Sequence, residues 1–212
     1  MNTLFIDNSI WGELAANFAL AKSSHIRELS IETEGCPLPD SPMPVFIHSP
    51  TEFVYGFWRT IEYIDAKFGP ERPLIPSTTP HERANVLSFC QYQLERKVVT
   101  PLARINSDRA MPDDTANLQS TITALIHNLG YKSFVYENKL TVIDVFLATF
   151  YQHLVRVYPQ GMPIIYQRYK EYVDEQLTLR RSSPELFWDL PCDDDDESDL
   201  GSEHDAPEGH VV

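Results

Sequence analysis

Cysteine and histidine side chains most often bind metals, form disulfides or act as nucleophiles, so their spacing is informative. The chain has three widely separated cysteines, none of which belongs to a CxxC pair: Cys36, Cys90 and Cys192. This arrangement does not predict a disulfide framework. Five histidines show neither H-x-x-x-H nor H-E-x-x-H spacing: His25, His48, His81, His127 and His153. We therefore expect each cysteine to be a free thiol that is buried or lies in a loop. We expect no metal site, and surface or capping roles for these histidines.

Other polar sets fit a structural role better than a chemical one. Three tyrosines recur at helical spacing, which is more typical of core packing than of a binding site: Tyr166, Tyr169 and Tyr172. Two acidic groups are typical of solvated helix faces: Asp113-Asp114, and Glu171 with Asp174 and Glu175. The sequence contains no Gly-rich phosphate-binding loop, and we expect no cofactor.

The acidic residues are concentrated at one end of the chain. The formal net charge is −14, and residues 193–208 contain nine acidic residues and no lysine or arginine. A segment with so much charge and so few apolar residues is expected to be disordered. It is either a solubilising tail or a docking segment for a basic surface. Neither the tail nor the mildly acidic remainder has the clustered basic face that nucleic-acid binding requires.

Hydrophobic periodicity in the first third predicts an α/β domain. Residues 3–6 and 26–31 are predicted strands. The helix between them is indicated by apolar residues at i, i+3, i+4, i+7 and i+8: Trp11, Leu14, Ala15, Phe18 and Ala19. Residues 34–44 contain four prolines and are predicted to form a loop. A hairpin over 45–55 and a helix over 57–68 complete a mixed four-stranded sheet with helices.

Proline-rich residues 69–80 mark the predicted domain boundary. Beyond them, helical patterns are centred on residues 87–98, 118–129, 142–157 and 165–177. The predicted organisation is a thioredoxin-like domain at residues 1–70 and a linker at residues 71–80. A helical-bundle domain follows at residues 81–190, and a disordered acidic tail at residues 191–212.

Two motifs in the first domain carry a resemblance to a known family. Met43-Pro44-Val45-Phe46 places a proline directly before the third strand, where thioredoxin-like domains have a cis-proline. Residues 61–68 and then 73–76 match I-x-Y-I/L-D-x-x-F and P-L-x-P, the patterns that close the first domain of many glutathione-transferase-like proteins. The chain resembles that family, and the resemblance implies the glutathione-transferase fold.

Two motifs in the helical half extend the resemblance. Thr141 can cap the start of a buried helix, and Asp144 can reach back to the Thr141 backbone N–H, as in the family's capping box. This interpretation makes Thr141 and Asp144 folding residues. The Arg83-Ala84 pair after the linker is a weaker match.

Within the family, the chain most resembles the RNA-polymerase-associated branch, the stringent starvation protein A proteins. The resemblance implies a stress-response transcription regulator that binds RNA polymerase holoenzyme, including its sigma factor. It also implies a homodimer, or a heterodimer with a related subunit. The acidic composition separately predicts no direct contact with nucleic acid. The partner-binding residues would lie in an exposed loop at the domain junction: Pro70, Glu71, Arg72 and Pro73. The Pro-His-Pro sequence that is usual in this branch is absent, because Glu71 and Arg72 lie between Pro70 and Pro73.

The same resemblance implies that the glutathione site is lost. Ile10-Trp11-Gly12 stands where the family's catalytic Tyr, Ser or Cys belongs, although Ser9 lies beside it. Gly56 and Phe57 replace the Glu/Gln-Ser pair that binds the γ-glutamyl carboxylate at a helix start. Residues 34–42 are too few and too rich in proline for the second helix of the site. We therefore expect a protein without transferase activity.

Two other interpretations stay open at this point. A glutathione-dependent transferase or thiol-binding protein with an unusual site would use Ser9. Alternatively, the fold would serve only as a dimerising scaffold. The N-terminus has no signal-peptide pattern, and no stretch reaches the ~18 apolar residues of a membrane span, so we expect a cytoplasmic protein.

Overall fold

The computed structural model of the chain describes residues 2–38, 40–76, 79–107, 109–129, 134–136, 139–155, 157–158 and 160–182. The predicted acidic tail and Cys192 lie outside the described residues. No helix in the described part of the chain is long and apolar enough to cross a lipid bilayer.

The first half contains the predicted mixed sheet. Its strands are β1 (Asn2–Phe5), β2 (Leu29–Glu32), β3 (Val45–Ser49) and β4 (Glu52–Tyr55), in the order β2-β1-β3-β4. Strands β1 and β2 are parallel, whereas β3 is antiparallel to both β1 and β4. Leu4 pairs with Phe46 across β1 and β3, and both side chains are fully buried. The cis peptide predicted at Met43-Pro44 is present.

Two helices cover this sheet, α1 (Ile10–Ala21) and α2 (Phe57–Lys67). The apolar stripe predicted for α1 is correct, since four of its five members are completely buried: Leu14, Ala15, Phe18 and Ala19. The predicted second strand began too early. A 3₁₀ turn over Ser23–His25 and a positive φ of 54° at Glu28 interrupt the extended backbone. Ile26 is therefore buried outside the strand, which begins at Leu29.

The second half is helical, as the sequence predicts. A continuous helical rod consists of α3 (Pro80–Phe89), a π-helical segment (Cys90–Val99) and α4 (Thr100–Asn106). It is followed by α5 (Asp114–Leu129), α6 (Val142–Leu154) and α7 (Ile164–Ser182). The rod begins at Pro80, the last residue of the predicted linker. Thr79 caps it by accepting a hydrogen bond from the Glu82 amide, and Pro80 is tolerated in the first turn.

The two halves share one hydrophobic core. Helix α1 packs against both α6 and α7, and Phe146 of α6 contacts Phe57 of α2 at 5.7 Å between ring centroids. The amide of Val142, the first residue of α6, donates to the Leu74 carbonyl at 2.8 Å. The segment between the halves is thus hydrogen-bonded to the start of the buried helix.

Candidate functional site

The capping box at α6 is present and is part of a larger network. Asp144 accepts hydrogen bonds from the Thr141 amide (2.7 Å) and the Thr141 hydroxyl (3.0 Å). Its carboxylate also accepts from the Val135 amide at 2.9 Å and the Tyr169 hydroxyl at 2.5 Å. Burial raises the pKa of Asp144, while these hydrogen bonds act in the opposite direction. Asp144 is therefore a structural centre that connects three segments of the helical half.

Pro44 connects the third strand to the second helix. Its carbonyl accepts hydrogen bonds from the Gly56 amide (3.0 Å) and the Thr60 hydroxyl (3.3 Å). This geometry fixes the start of α2 beside the sheet.

The buried pair of Lys22 and Asp65 organises the junction between the halves. Lys22 Nζ lies 3.1 Å from Asp65 Oδ1, and the two side chains are only 1% and 4% exposed. The Asp65 carboxylate also accepts from the Leu74 amide (2.8 Å) and the Ile75 amide (3.0 Å). This explains the aspartate of the I-x-Y-I-D-x-x-F pattern, because it binds the backbone of the P-L-x-P segment that follows.

Lys22 also fixes the loop that was predicted to bind a partner. Its ammonium group donates to the carbonyls of Gly69 (3.0 Å) and Arg72 (2.9 Å), at the two sides of Pro70 and Glu71. Gly69 has a φ of 64°, and a Cβ there would lie 2.7 Å from the His25 ring, so only glycine fits. The loop is thus held at both ends by buried hydrogen bonds.

The exposure of this loop differs from the prediction at one residue. Pro70 and Glu71 are exposed, and Pro73 is partly buried. Arg72 is only 9% exposed, so its side chain does not offer the second surface charge that was expected. The cause is the turn held by Lys22, which directs the segment after Glu71 into the junction. Glu71 Oε1 lies 3.3 Å from His25 Nδ1 and remains at the surface.

Ser9 caps the start of α1. Its hydroxyl accepts a hydrogen bond from the Gly12 amide at 3.2 Å and lies 2.5 Å from Asp7 Oδ1, to which it donates. A Cβ on Gly12 would lie 2.1 Å from the Asp7 carbonyl oxygen, which explains the glycine. A catalytic serine would offer its hydroxyl proton to a bound thiolate. The Ser9 hydroxyl proton is instead directed at the Asp7 carboxylate.

An aromatic cluster lies at the start of α2 and consists of Trp11, Phe57, Trp58 and Phe146. The Phe57 ring lies 4.6 Å from Trp11 and 5.0 Å from Trp58, measured between centroids. Gly56 caps α2 without a side-chain hydrogen bond. No helix occurs among the described residues between β2 and β3, in agreement with the prediction for residues 34–42.

Similarity to known proteins is found in structure and not in sequence. No protein-family model matches the chain, and no curated protein sequence matches it. Solved glutathione transferases, however, superpose on most of it. The fold is that of the glutathione transferases. An enzyme of this name from Pichia kudriavzevii is 17% identical with a TM-score of 0.60, covering 85% of this chain and 95% of its own.

Two other glutathione transferases give the same result. Omega 3C from Trametes versicolor has a TM-score of 0.63 at 11% identity, covering 85% of this chain and 88% of its own. The protein from Rhodospirillum rubrum F11 has a TM-score of 0.57 at 19% identity, covering 87% and 89%. The predicted fold class, a thioredoxin-like domain with a helical domain, is confirmed.

In this glutathione-transferase fold, a cleft of about 310 Å³ lies between the start of α1 and the ends of α4 and α6. Within it, His153 Nε2 lies 2.6 Å from Glu13 Oε2, and the Asn106 side-chain nitrogen lies 3.5 Å from His153 Nδ1. The sequence indicated neither Glu13 nor the contact, because residues 140 positions apart meet only in the folded chain.

The remaining polar sets have structural positions. Tyr166 and Tyr169 belong to the core, as predicted. Asp114 does not lie on a solvated face. It is 5% exposed, pairs with Arg104 and accepts from the Met111 amide, whereas its neighbour Asp113 is exposed. The described residues contain no group of three or more His, Cys, Asp or Glu side chains that could hold a metal ion.

Proposed function

We propose that this protein is a non-catalytic, cytoplasmic transcription regulator with a glutathione-transferase fold. It associates with bacterial RNA polymerase holoenzyme, including the sigma factor, as a homodimer or as a heterodimer with a related subunit. The residues nearest the partner are Pro70, Glu71 and Pro73, and the Arg72 backbone supports them.

The observation that carries this proposal is the fixed loop at the domain junction. Lys22 binds the carbonyls of Gly69 and Arg72, so the exposed Pro70 and Glu71 are presented by an already ordered backbone. A loop ordered before binding loses little conformational entropy when it docks. The exposed carboxylate of Glu71 can make a charge-assisted hydrogen bond with a basic residue of a protein partner.

The arrangement at α1 and α2 supports the absence of transferase activity. A thiolate at Ser9 would approach the Asp7 carboxylate, and like charges in close proximity repel. A γ-glutamyl carboxylate at the start of α2 would meet the Phe57 ring, which packs against Trp11 and carries no hydroxyl group.

Binding of purified polymerase to the immobilised protein tests the proposal. Wild type is expected to capture holoenzyme, and Glu71→Lys is expected to weaken capture by about 1–3 kcal/mol if Glu71 is a central contact. Glu171→Lys, the same charge reversal at an exposed position of α7, is the matched control and should bind like wild type.

The outcomes separate the interpretations. If wild type captures neither core polymerase nor holoenzyme, the regulator hypothesis is wrong and the scaffold interpretation replaces it. If Glu71→Lys and Glu171→Lys both bind like wild type, the partner surface lies outside the loop. Thermal melting of each variant provides the folding control.

A further inference from the structure

The π-helical segment Cys90–Val99 carries an exposed cluster of one aromatic ring and two cations. The Tyr92 side chain is 55% exposed. The central guanidinium carbon of Arg96 lies 5.3 Å from the centroid of the Tyr92 ring, and Lys97 Nζ lies 5.8 Å from it. Arg96 and Lys97 are themselves exposed. We call these three residues the Tyr92 surface.

The π-helical backbone brings both cations to the same ring. Its hydrogen bonds join residues five apart, as where the Thr100 amide donates to the Glu95 carbonyl. The residues four and five positions after Tyr92 therefore both lie beside it. A regular α-helix would align only the residues three and four positions on. Short π-helical stretches inside α-helices occur frequently at functional sites.

The two cations differ from the other basic residues of the helical rod. Its other two arginines, Arg83 and Arg104, each pair with a carboxylate. Within the described residues, neither Arg96 nor Lys97 forms such a pair. Two like charges beside one ring repel each other, and a bound carboxylate would relieve this repulsion. The Tyr92 hydroxyl can donate a hydrogen bond to the same anion.

The carboxylate that precedes these cations in sequence is engaged with α2. Glu95 accepts a hydrogen bond from Trp58 Nε1 at 3.3 Å. Arg59, which follows Trp58, is exposed and adds a positive charge beside this contact. The exposed charge of the π-helical segment is thus positive, although the net charge of the chain is −14.

The acidic end of the chain is complementary to this surface and can reach it. Residues 193–208 contain nine acidic residues and no lysine or arginine. Helix α7 ends at Ser182, and the intervening residues 183–192 can extend to about 35 Å. A folded body of this size has a radius of gyration of only about 16 Å. Because the segment is tethered, its effective concentration at the surface is high and weak contacts suffice.

We propose that the acidic segment 193–208 of this chain binds the Tyr92 surface of the same molecule. Its carboxylates pair with Arg96 and Lys97, and one of them accepts the Tyr92 hydroxyl. The bound segment covers these cations and keeps other anions from them. The contact uses no residue of the loop 70–73, so it is independent of the proposed polymerase binding.

A nitroxide spin label on Cys192, directly before the acidic segment, tests this contact in the full chain by nuclear magnetic resonance. Cys36→Ser removes the half-buried thiol, and Cys90 is 1% exposed, so the label is directed to Cys192. The amide signals of residues 91–97 are expected to lose intensity while the label is oxidised and to recover when it is reduced. Raising the salt from about 0.1 M to about 1 M shortens the Debye length from about 10 to about 3 Å and should remove the loss.

Variants on both sides of the contact make the test specific. Arg96→Gln combined with Lys97→Gln should abolish the loss of intensity. Arg27→Gln combined with Arg168→Gln removes two exposed arginines outside the Tyr92 surface and is the matched control, which should keep the loss. Neutralising the aspartate run of the segment should abolish it without altering the described residues: Asp193→Asn, Asp194→Asn, Asp195→Asn and Asp196→Asn.

Thermal melting reports whether each variant folds, and if the variant of Arg96 and Lys97 does not, the aspartate variant decides. A mixture of spin-labelled protein and unlabelled, isotope-enriched protein reports contacts between molecules. The proposal is wrong if wild type shows no loss at residues 91–97, or if the loss appears equally in the mixture. It is also wrong if the loss persists in the folded Arg96 and Lys97 variant or in the aspartate variant, or if the arginine control abolishes it too.

Discussion

At the scale of single residues, Lys22 and Asp65 form a buried ion pair at the junction between the two halves. Both side chains are almost fully buried, and their polar atoms contact the backbone of residues 69–75. A buried ion pair contributes little net stability while it is complete, but removing one partner leaves a charge without compensation. The pair therefore determines how precisely the junction is positioned.

Lys22→Met is expected to lower the free energy of unfolding by about 3–5 kcal/mol, because Asp65 would remain buried without its cation. Urea unfolding at neutral pH measures this change. Lys67→Met, on the exposed end of α2, is the control and should cost less than about 1 kcal/mol, the usual value of a surface ion pair. A loss below 1 kcal/mol in Lys22→Met would show that the buried pair does not hold the junction.

Asp144→Ala is expected to lower the free energy of unfolding by about 2–3 kcal/mol, more than the 0.5–2 kcal/mol typical of a helix cap. The reason is that the Tyr169 hydroxyl and the Val135 and Thr141 amides would lose their acceptor. Tyr169→Phe removes one of these hydrogen bonds and should cost about 1 kcal/mol. Equal losses in the two variants would mean that Asp144 contributes only its bond to Tyr169.

At the scale of secondary-structure elements, Asp114 connects α4 to the first turn of α5. Its hydrogen bonds with the Arg104 guanidinium and the Met111 amide lower its pKa from an ordinary value of 3.8 to about 2. A carboxyl group whose pKa is lowered by folding stabilises the protein above its unfolded pKa, and this contribution is lost as the pH falls through the folded value.

Wild type is therefore expected to lose the Asp114 contribution between about pH 4 and pH 2, because in this window the carboxyl group binds a proton in the unfolded chain but stays ionised in the native protein. Asp114→Asn should be less stable than wild type at neutral pH, and the difference should shrink across that window. Denaturant unfolding over a pH series measures it. Asp113→Asn changes the neighbouring exposed residue, and its free energy of unfolding should depend on pH as that of wild type does. The hypothesis is wrong if Asp114→Asn also shows the wild-type pH dependence.

The elements were predictable where one local pattern determined them. Helix α6 is buried on nearly every side, and its apolar run from Val142 indicated this directly. The burial of Lys22 was not predicted, although Lys22 lies four residues after Phe18, in phase with the buried stripe of α1. Asp114 likewise lies four residues before the buried Leu118. A charged residue in phase with an apolar face was the available signal for both.

Other features depend on contacts that sequence spacing does not contain. Arg72 lies in a proline-rich loop that looks uniformly exposed, but Lys22, 50 residues earlier, binds its carbonyl and turns the segment inward. The contact between Glu13 and His153 joins the two halves of the chain and has no local pattern. The second contact depends on the packing of α1 against α6.

At the scale of the whole molecule, a glutathione-transferase fold carries a Ser9 whose hydroxyl is held by Asp7 and a Phe57 that packs against Trp11 at the start of α2. These are the two places where the family resemblance locates the glutathione site. The junction loop is ordered by Lys22 and leaves Glu71 exposed. This combination is the basis for proposing a protein-binding role in place of transferase activity.

Calorimetric titration of the purified protein with reduced glutathione tests this central claim most directly. A glutathione transferase serves as the positive control. Phe57→Ser supplies the hydroxyl residue expected at a γ-glutamyl site and leaves Gly56 in place, since its φ of 83° favours glycine. Wild type is expected to show no saturable heat at millimolar glutathione, because the Asp7 carboxylate would repel a thiolate at Ser9 and Phe57 would offer the γ-glutamyl carboxylate no hydroxyl group. A micromolar dissociation constant for wild type would contradict the claim and establish a functional glutathione site.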